Sequence, residues 1–384
     1  MNVNPARPML PALTSLRFFA ALHVLLFHMY AMQIMTGSGF YRSFASVGYV
    51  GVSFFFVLSG FILVYTYAGR ETTPVKFWQA RFARIYPAYL FSLVVTFPFF
   101  LFICIQLKNM DIPMFAFQQA HMFQAMGLVL GLLQSWIPLA ALSWNAPAWS
   151  LSVEAFFYVL FPFLLAPMLA QKNRRLALIL IGGWVVSCAI CIGYVVVKPD
   201  GLASVSDATL GAKWLNVVKF FPLVRLPEFL MGMALGVIFL REPIARKRGT
   251  ALILAGVLAL VVVIALSPRI PYPVLHDGLL APAYAAVIYG AALNPAWLRV
   301  LESKFFILLG ESSYSFYLLH SFLVSVYFMP MGKLRPTGII GTTIGFLLPI
   351  VVSILVFKFI ETPARRWLKP KKKVEAAPMV TAVA

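Results

Sequence analysis

The chain has 384 residues, 61% of them apolar and 11% charged, with a formal net charge of +19. A soluble domain of this size could not bury so much apolar surface. Windows of about 20 apolar residues recur along the whole length, which excludes a water-soluble protein and points to an all-α polytopic membrane bundle.

The first predicted span, 13–35, follows "MNVNPARPMLPALTS", which has no cleavage site and leads into an apolar run too long for a signal core. It carries Arg17, His23 and His28. An arginine at the centre of a span costs about 2.5–3.5 kcal/mol on insertion scales, so such residues are functional by default. Arg17 and His28 are eleven residues apart, which puts them within about 20° of one helix face and about 16 Å apart along the axis. His23 points elsewhere. The alternative is that Arg17 snorkels to lipid phosphate and His28 bonds a backbone carbonyl.

The second span, 48–68, contains "GYVGVSFFFVLSGFIL" with Ser53. Ahead of the third, 86–107, "KFWQARFARIYPAYL" sets Arg81 and Arg84 three apart on one face. Two guanidiniums so placed can hold a phosphorylated ligand bidentately, although ordinary positive flanking also puts arginines there. The uncharged run 122–142 is long enough to cross. The remaining spans are predicted at 150–170, 176–197, 222–240, 250–267, 273–293, 305–328 and 338–360. Glu154 lies about one turn inside the outer end of its span, at a depth comparable to His28. "RLPEFLMGM" places Arg225 and Glu228 at a spacing where the two can simply pair. "LGESSYSFYLLHSFL" adds Glu311 and His320 with a Ser/Tyr face, including Tyr314, between them. Cys104, Cys188 and Cys191 sit in apolar runs and read as helix packing, so no metal site is expected. His121 and His276 receive no role.

Loop cations decide whether 122–142 crosses. If it does not, and the N-terminus is cytoplasmic, twenty cations face inside and nine outside; if it does, the split is twelve to seventeen. The positive-inside rule therefore predicts about ten spans, both termini cytoplasmic, with 109–149 an outer re-entrant or surface helical segment. The basic tail "RRWLKPKKK" and the span-end cations fit topology and anionic lipid, so no nucleic-acid partner is expected. No internal repeat is visible, which disfavours an inverted-repeat transporter. One membrane domain, 11–367, and a basic cytoplasmic tail, 368–384, without fixed structure are expected.

Seven blocks occur in order: Arg17 and His28 with ten residues between; "GYVGVSFFFVLSGFIL"; Arg81-Phe82-Ala83-Arg84 followed by "IYP"; "WSLSVEAFFYVLFP"; "RLPEFLMGM"; "SYSFYLLH"; and "ETPARRW". Together, from about residue 11 to 367, they resemble the acyltransferase-3 family of integral membrane acyltransferases. Ser53 departs from the Asp many members carry there, which leaves Glu154 as the nearer carboxylate. No appended hydrolase-like domain is expected. The resemblance implies an enzyme of a bacterial cytoplasmic membrane that moves an acyl group, often acetyl, from cytoplasmic acyl-CoA to a hydroxyl of an extracytoplasmic acceptor. Family acceptors are mostly cell-surface or exported sugars; some members acylate macrolides. No bound cofactor is implied, and the oligomeric state is left open. On this layout Arg17, Arg81 and Arg84 bind the donor phosphates and His28 is the general base. Glu154 orients its imidazole. His320, Tyr314, Ser53, Glu228 and Arg225 are supporting positions. A secondary transporter of a polar or anionic substrate is the alternative reading; a non-catalytic sensor or assembly subunit is a third.

Overall fold

The computed structural model describes residues 7–35, 37–110, 112–241, 246–328 and 338–368, and among them there is no strand. The helices in chain order are α1 Pro11–Ala31, α2 Gly39–Ser46, α3 Gly51–Tyr67, α4 Pro74–Ile105, α5 Ala116–Ala120, α6 Met122–Leu130, α7 Trp149–Ala170 and α8 Asn173–Val197. They continue with α9 Lys213–Phe220, α10 Pro222–Arg241, α11 Gly249–Leu266, α12 Tyr272–His276, α13 Ala281–Ala292, α14 Lys304–Phe328, α15 Gly338–Val356 and α16 Thr362–Leu368. A π-helical turn, Phe357–Glu361, joins the last two.

Local chemistry sets the ends of the long helices. Pro11 opens α1 at a position where no backbone N–H partner is needed. The hydroxyl of Thr73 accepts from the Lys76 N–H at 3.3 Å, and Pro74 follows as the first residue of α4. Among the described residues, nine helical stretches are long and apolar enough to cross a bilayer: Pro11–Ala31, Gly48–Tyr67, Pro74–Ile105, Ala146–Ala170, Asn173–Val197, Lys213–Arg241, Gly249–Arg269, Tyr272–Ala292 and Gly338–Leu368. They correspond to nine of the ten predicted spans. The tenth is α14, whose 25 residues span about 37 Å. Glu311, five serines and His320 make it less apolar than the other nine.

Helix pairing depends on small residues, because lipid-like surroundings give no hydrophobic drive between apolar helices. A Cβ on Gly60 would stand 2.2 Å from the Phe229 carbonyl oxygen, and one on Gly232 2.0 Å from that of Val57. The backbones of α3 and α10 therefore touch directly. At Gly310 a Cβ would stand 2.1 Å from the Thr14 carbonyl oxygen, so α14 lies against the start of α1, next to Arg17. α14 also packs on α15.

The run 122–142 forms no spanning helix. Its longest element is α6, nine residues and about 13 Å, too short for a hydrocarbon core of about 30 Å. Short 3-10 turns follow at Gln134–Trp136, Pro138–Ala140 and Ala146–Ala148. Irregular backbone at membrane depth is tolerated only inside protein or along a cavity, and here Gln134, Ser135 and Asn145 are buried and each makes a hydrogen bond. Gln134 Nε2 donates to the Ala148 carbonyl at 3.0 Å. Ser135 Oγ donates to that of Trp149 at 2.7 Å. Asn145 Nδ2 reaches the Leu318 carbonyl at 3.1 Å and Ser92 Oγ at 3.2 Å. The expected tail, 368–384, lies outside the described residues apart from Leu368.

Candidate active site

A cavity of about 340 Å³ opens between α1, α3, α4, α7, α14 and α16. Arg17, Arg81, Arg84 and Arg365 line it, together with Ser59, Ser150, Glu154, Tyr158, Tyr314 and Tyr317. Arg81 is aimed by rings. Its guanidinium stands 5.5 Å from the Tyr67 centroid, 5.8 Å from Phe77 and 5.9 Å from Tyr158. Its Nη2 donates to the Tyr67 hydroxyl at 3.1 Å, and its buried Nε has no partner. Glu154 Oε1 accepts from the Tyr158 hydroxyl at 2.5 Å and from Ser59 Oγ at 3.3 Å. Tyr314 donates its hydroxyl to the Ile85 carbonyl at 2.7 Å, and Tyr317 accepts from Ser150 Oγ at 2.9 Å.

The cavity carries an excess of positive charge. Among the described residues the ion pairs within 4 Å all belong to Arg225, so none of the four lining arginines is directly paired with a carboxylate. An enclosed guanidinium without a counter-charge costs several kcal/mol, and an anionic ligand removes that cost.

Beyond Tyr317 two histidines meet. The rings of His28 and His320 lie 5.0 Å apart, and the Tyr317 ring is 5.8 Å from His320. His320 is fully buried. Its Nδ1 lies 2.8 Å from the Tyr317 carbonyl oxygen and 3.2 Å from that of Phe316. A carbonyl only accepts, so Nδ1 carries the proton, and Nε2 is left as a buried acceptor without a partner. No hydrogen bond to the His28 ring is found among the described residues.

Of the residues singled out from sequence, Arg17, Arg81, Arg84, Glu154 and Tyr314 share this cavity, and His28 and His320 form the pair behind it. Glu154 is not bonded to His28; its hydrogen bonds run to Ser59 and Tyr158 instead. The start of α7 is buried and bonded to the irregular segment, and Glu154 lines the arginine-bearing cavity one turn further on. Ser53, Arg225 and Glu228 belong to a separate network. Fully buried Arg225 pairs with Glu228 at 3.1 Å and with Asp277 at 2.5 Å, and donates to Ser53 Oγ at 3.3 Å. His23 bonds the Phe44 carbonyl through Nε2 at 2.7 Å and stacks on the Phe44 ring. The sequence reading missed Asp277, Ser59, Tyr158 and Arg365. For Arg365 a signal existed, because Glu361 and Arg365 in "ETPARRW" stand one helical turn apart.

Comparison with known proteins places this architecture. A family model described as an acyltransferase domain matches residues 10–358. Acyltransferase MdmB of Streptomyces mycarofaciens is 29% identical over 387 residues, covering 96% of this chain and 95% of that protein. O-acetyltransferase OatA of Staphylococcus aureus is 25% identical over 400 residues, covering 97% of this chain and 61% of its own length. Peptidoglycan O-acetyltransferase OatA of Listeria monocytogenes is 26% identical over 389 residues, covering 94% and 56%. The chain thus spans nearly all of MdmB and about three-fifths of the OatA proteins. No solved structure matches it. The chain is a multi-pass membrane acyltransferase and belongs to the acyltransferase-3 family.

Proposed function

We propose that the protein is an O-acetyltransferase of a bacterial cytoplasmic membrane. In this reading it takes an acetyl group from acetyl-CoA on the cytoplasmic side and passes it to a hydroxyl of an extracytoplasmic glycan. The observation that carries the reading is a juxtaposition: a cavity lined by four arginines without a carboxylate pair, one of whose wall residues, Tyr317, lies against a histidine pair with a free ring nitrogen. Coenzyme A brings phosphates to the arginines, and its thin pantetheine arm extends towards the histidines. The names of the OatA relatives support an O-acetyl group and a glycan acceptor.

In the transfer step the acceptor oxygen forms a bond to the thioester carbon. The C–S bond breaks, the acceptor proton passes to His28, and the CoA sulfur leaves as thiolate, to be protonated afterwards. His28 and His320 act as one proton-accepting unit, a role suited to imidazole. Glu154 holds Tyr158 and Ser59 in the cavity wall and offsets part of the arginine charge. Two measurements test the reading. Protein in nanodiscs given labelled acetyl-CoA and candidate acceptors should release CoA and label the acceptor. Mass spectrometry of surface glycans from a deletion strain should show an O-acetyl group lost and restored by the wild-type gene. Unchanged glycans, with no turnover of acetyl-CoA, would refute it.

A further inference from the structure

The cavity wall is completed by the chain beyond the last long helix. α15 runs through the π turn Phe357–Glu361 into α16. One extra residue in a π turn rotates everything after it by about 100° relative to an unbroken α-helix, and such turns occur often at functional sites. Here Glu361 faces inward, buried, with Oε2 accepting from Ser315 Oγ at 2.8 Å. Arg365 follows one turn later on the same face and lines the cavity. The neighbouring side chains Arg366 and Trp367 are exposed. The π turn and α16 both pack on α4, the helix that carries Arg81 and Arg84.

Charge extends the argument. Four guanidiniums face the cavity, and the nearby carboxylates are Glu154 in its wall, Glu361 behind it and Glu311, which also acts on Arg365. Positive charge remains in excess, which suits an anionic ligand group such as a diphosphate. Arginines on two elements can grip such a group from both sides, each with a planar donor fork.

We propose that Arg365 is a fourth donor-binding arginine, and that the diphosphate of the acyl donor is held between α4 and α16. The proposal rests on the reading of acyl-CoA as donor. Titration calorimetry in nanodiscs tests it with three probes: CoA, inorganic pyrophosphate and S-acetylpantetheine, which lacks phosphate. Arg365→Gln should weaken CoA and pyrophosphate by about tenfold to a hundredfold, the usual effect of losing a charge-assisted contact, and leave S-acetylpantetheine unchanged. Arg365→Lys, which keeps the charge but loses the fork, should fall between. Arg366→Gln, next to it and exposed, should bind all three as wild type does. Equal CoA binding by wild type and Arg365→Gln overturns the assignment and leaves the donor reading standing. Weakening of all three probes alike also overturns it, because Arg365 would then shape the fold rather than meet phosphate. If the wild type binds neither CoA nor pyrophosphate, the donor reading fails and this assignment with it.

Discussion

Replacing His320 with Phe should separate stability from activity. His320 is fully buried, and its Nε2 has no hydrogen-bond partner. A buried polar group left unsatisfied costs about 1–3 kcal/mol, and an apolar ring removes that cost. Against it stands the loss of the Nδ1 bonds to Tyr317 and Phe316, about 0.5–1.5 kcal/mol together because both carbonyls lie within a helix. The new ring would stack among Phe316 and Tyr317, which already surround the site. The balance lies between a loss of about 0.5 and a gain of about 2.5 kcal/mol, so the melting temperature should hold or rise. Activity should behave in the opposite way. A member of a proton-accepting pair contributes about 10²–10⁴-fold to rate, equivalent to roughly 3–5 kcal/mol of barrier. Heated aliquots followed by fluorescence-detected size exclusion report stability, and release of CoA with acceptor labelling reports rate. The reasoning fails if His320→Phe keeps near-normal transfer, or if it melts far below wild type with activity falling in step.

His28→Gln keeps size and a hydrogen-bonding group but cannot take the proton; transfer should fall by about 10²–10⁴-fold while CoA still binds. His23→Ala, which loses only its bond and stacking with Phe44, should change transfer by less than about tenfold under the same assay. In the Arg225 network, Arg225→Met strands Glu228 and Asp277 in the interior and should cost about 3–5 kcal/mol, whereas Asp277→Asn leaves Arg225 its second carboxylate and should cost less. Melting curves that rank the two variants the other way would contradict that order. Reporter fusions after Lys108 and after Arg175 should read outside and inside respectively; an outside signal after Arg175, with the N-terminus inside, would overturn the predicted topology.

What the sequence revealed and what it hid divide along contact range. Arg17 with His28, and Arg81 with Arg84, are related by helix geometry over a few turns, so their shared faces were readable from spacing. The Arg225–Glu228 pair was readable for the same reason, but its third partner, Asp277, lies 49 positions past Glu228 on another element, and nothing local marks it. His28 and His320 meet through the packing of α1 on α14, fixed by the missing side chain at Gly310. Hydropathy also could not separate an apolar run that crosses from one folded back into the protein. It reported 122–142 as apolar without showing that Gln134 and Ser135 are buried on bonds to Ala148 and Trp149 at the start of the next span, or that Asn145 just beyond is buried on bonds to α4 and α14.

The bond from Asn145 to Leu318 has a consequence for synthesis. The two residues are 173 positions apart, so the irregular segment reaches this partner only after most of the chain has been made. At about 5–20 residues per second that interval is roughly 10–35 s. During it the amide of Asn145 can reach Ser92 on α4 but not its second partner on α14. The docking of the segment is completed only when α14 arrives. A truncated chain that ends before α14 should therefore carry this segment open to proteolysis, and the seat of the cavity would be set late, by one of the last helices to emerge.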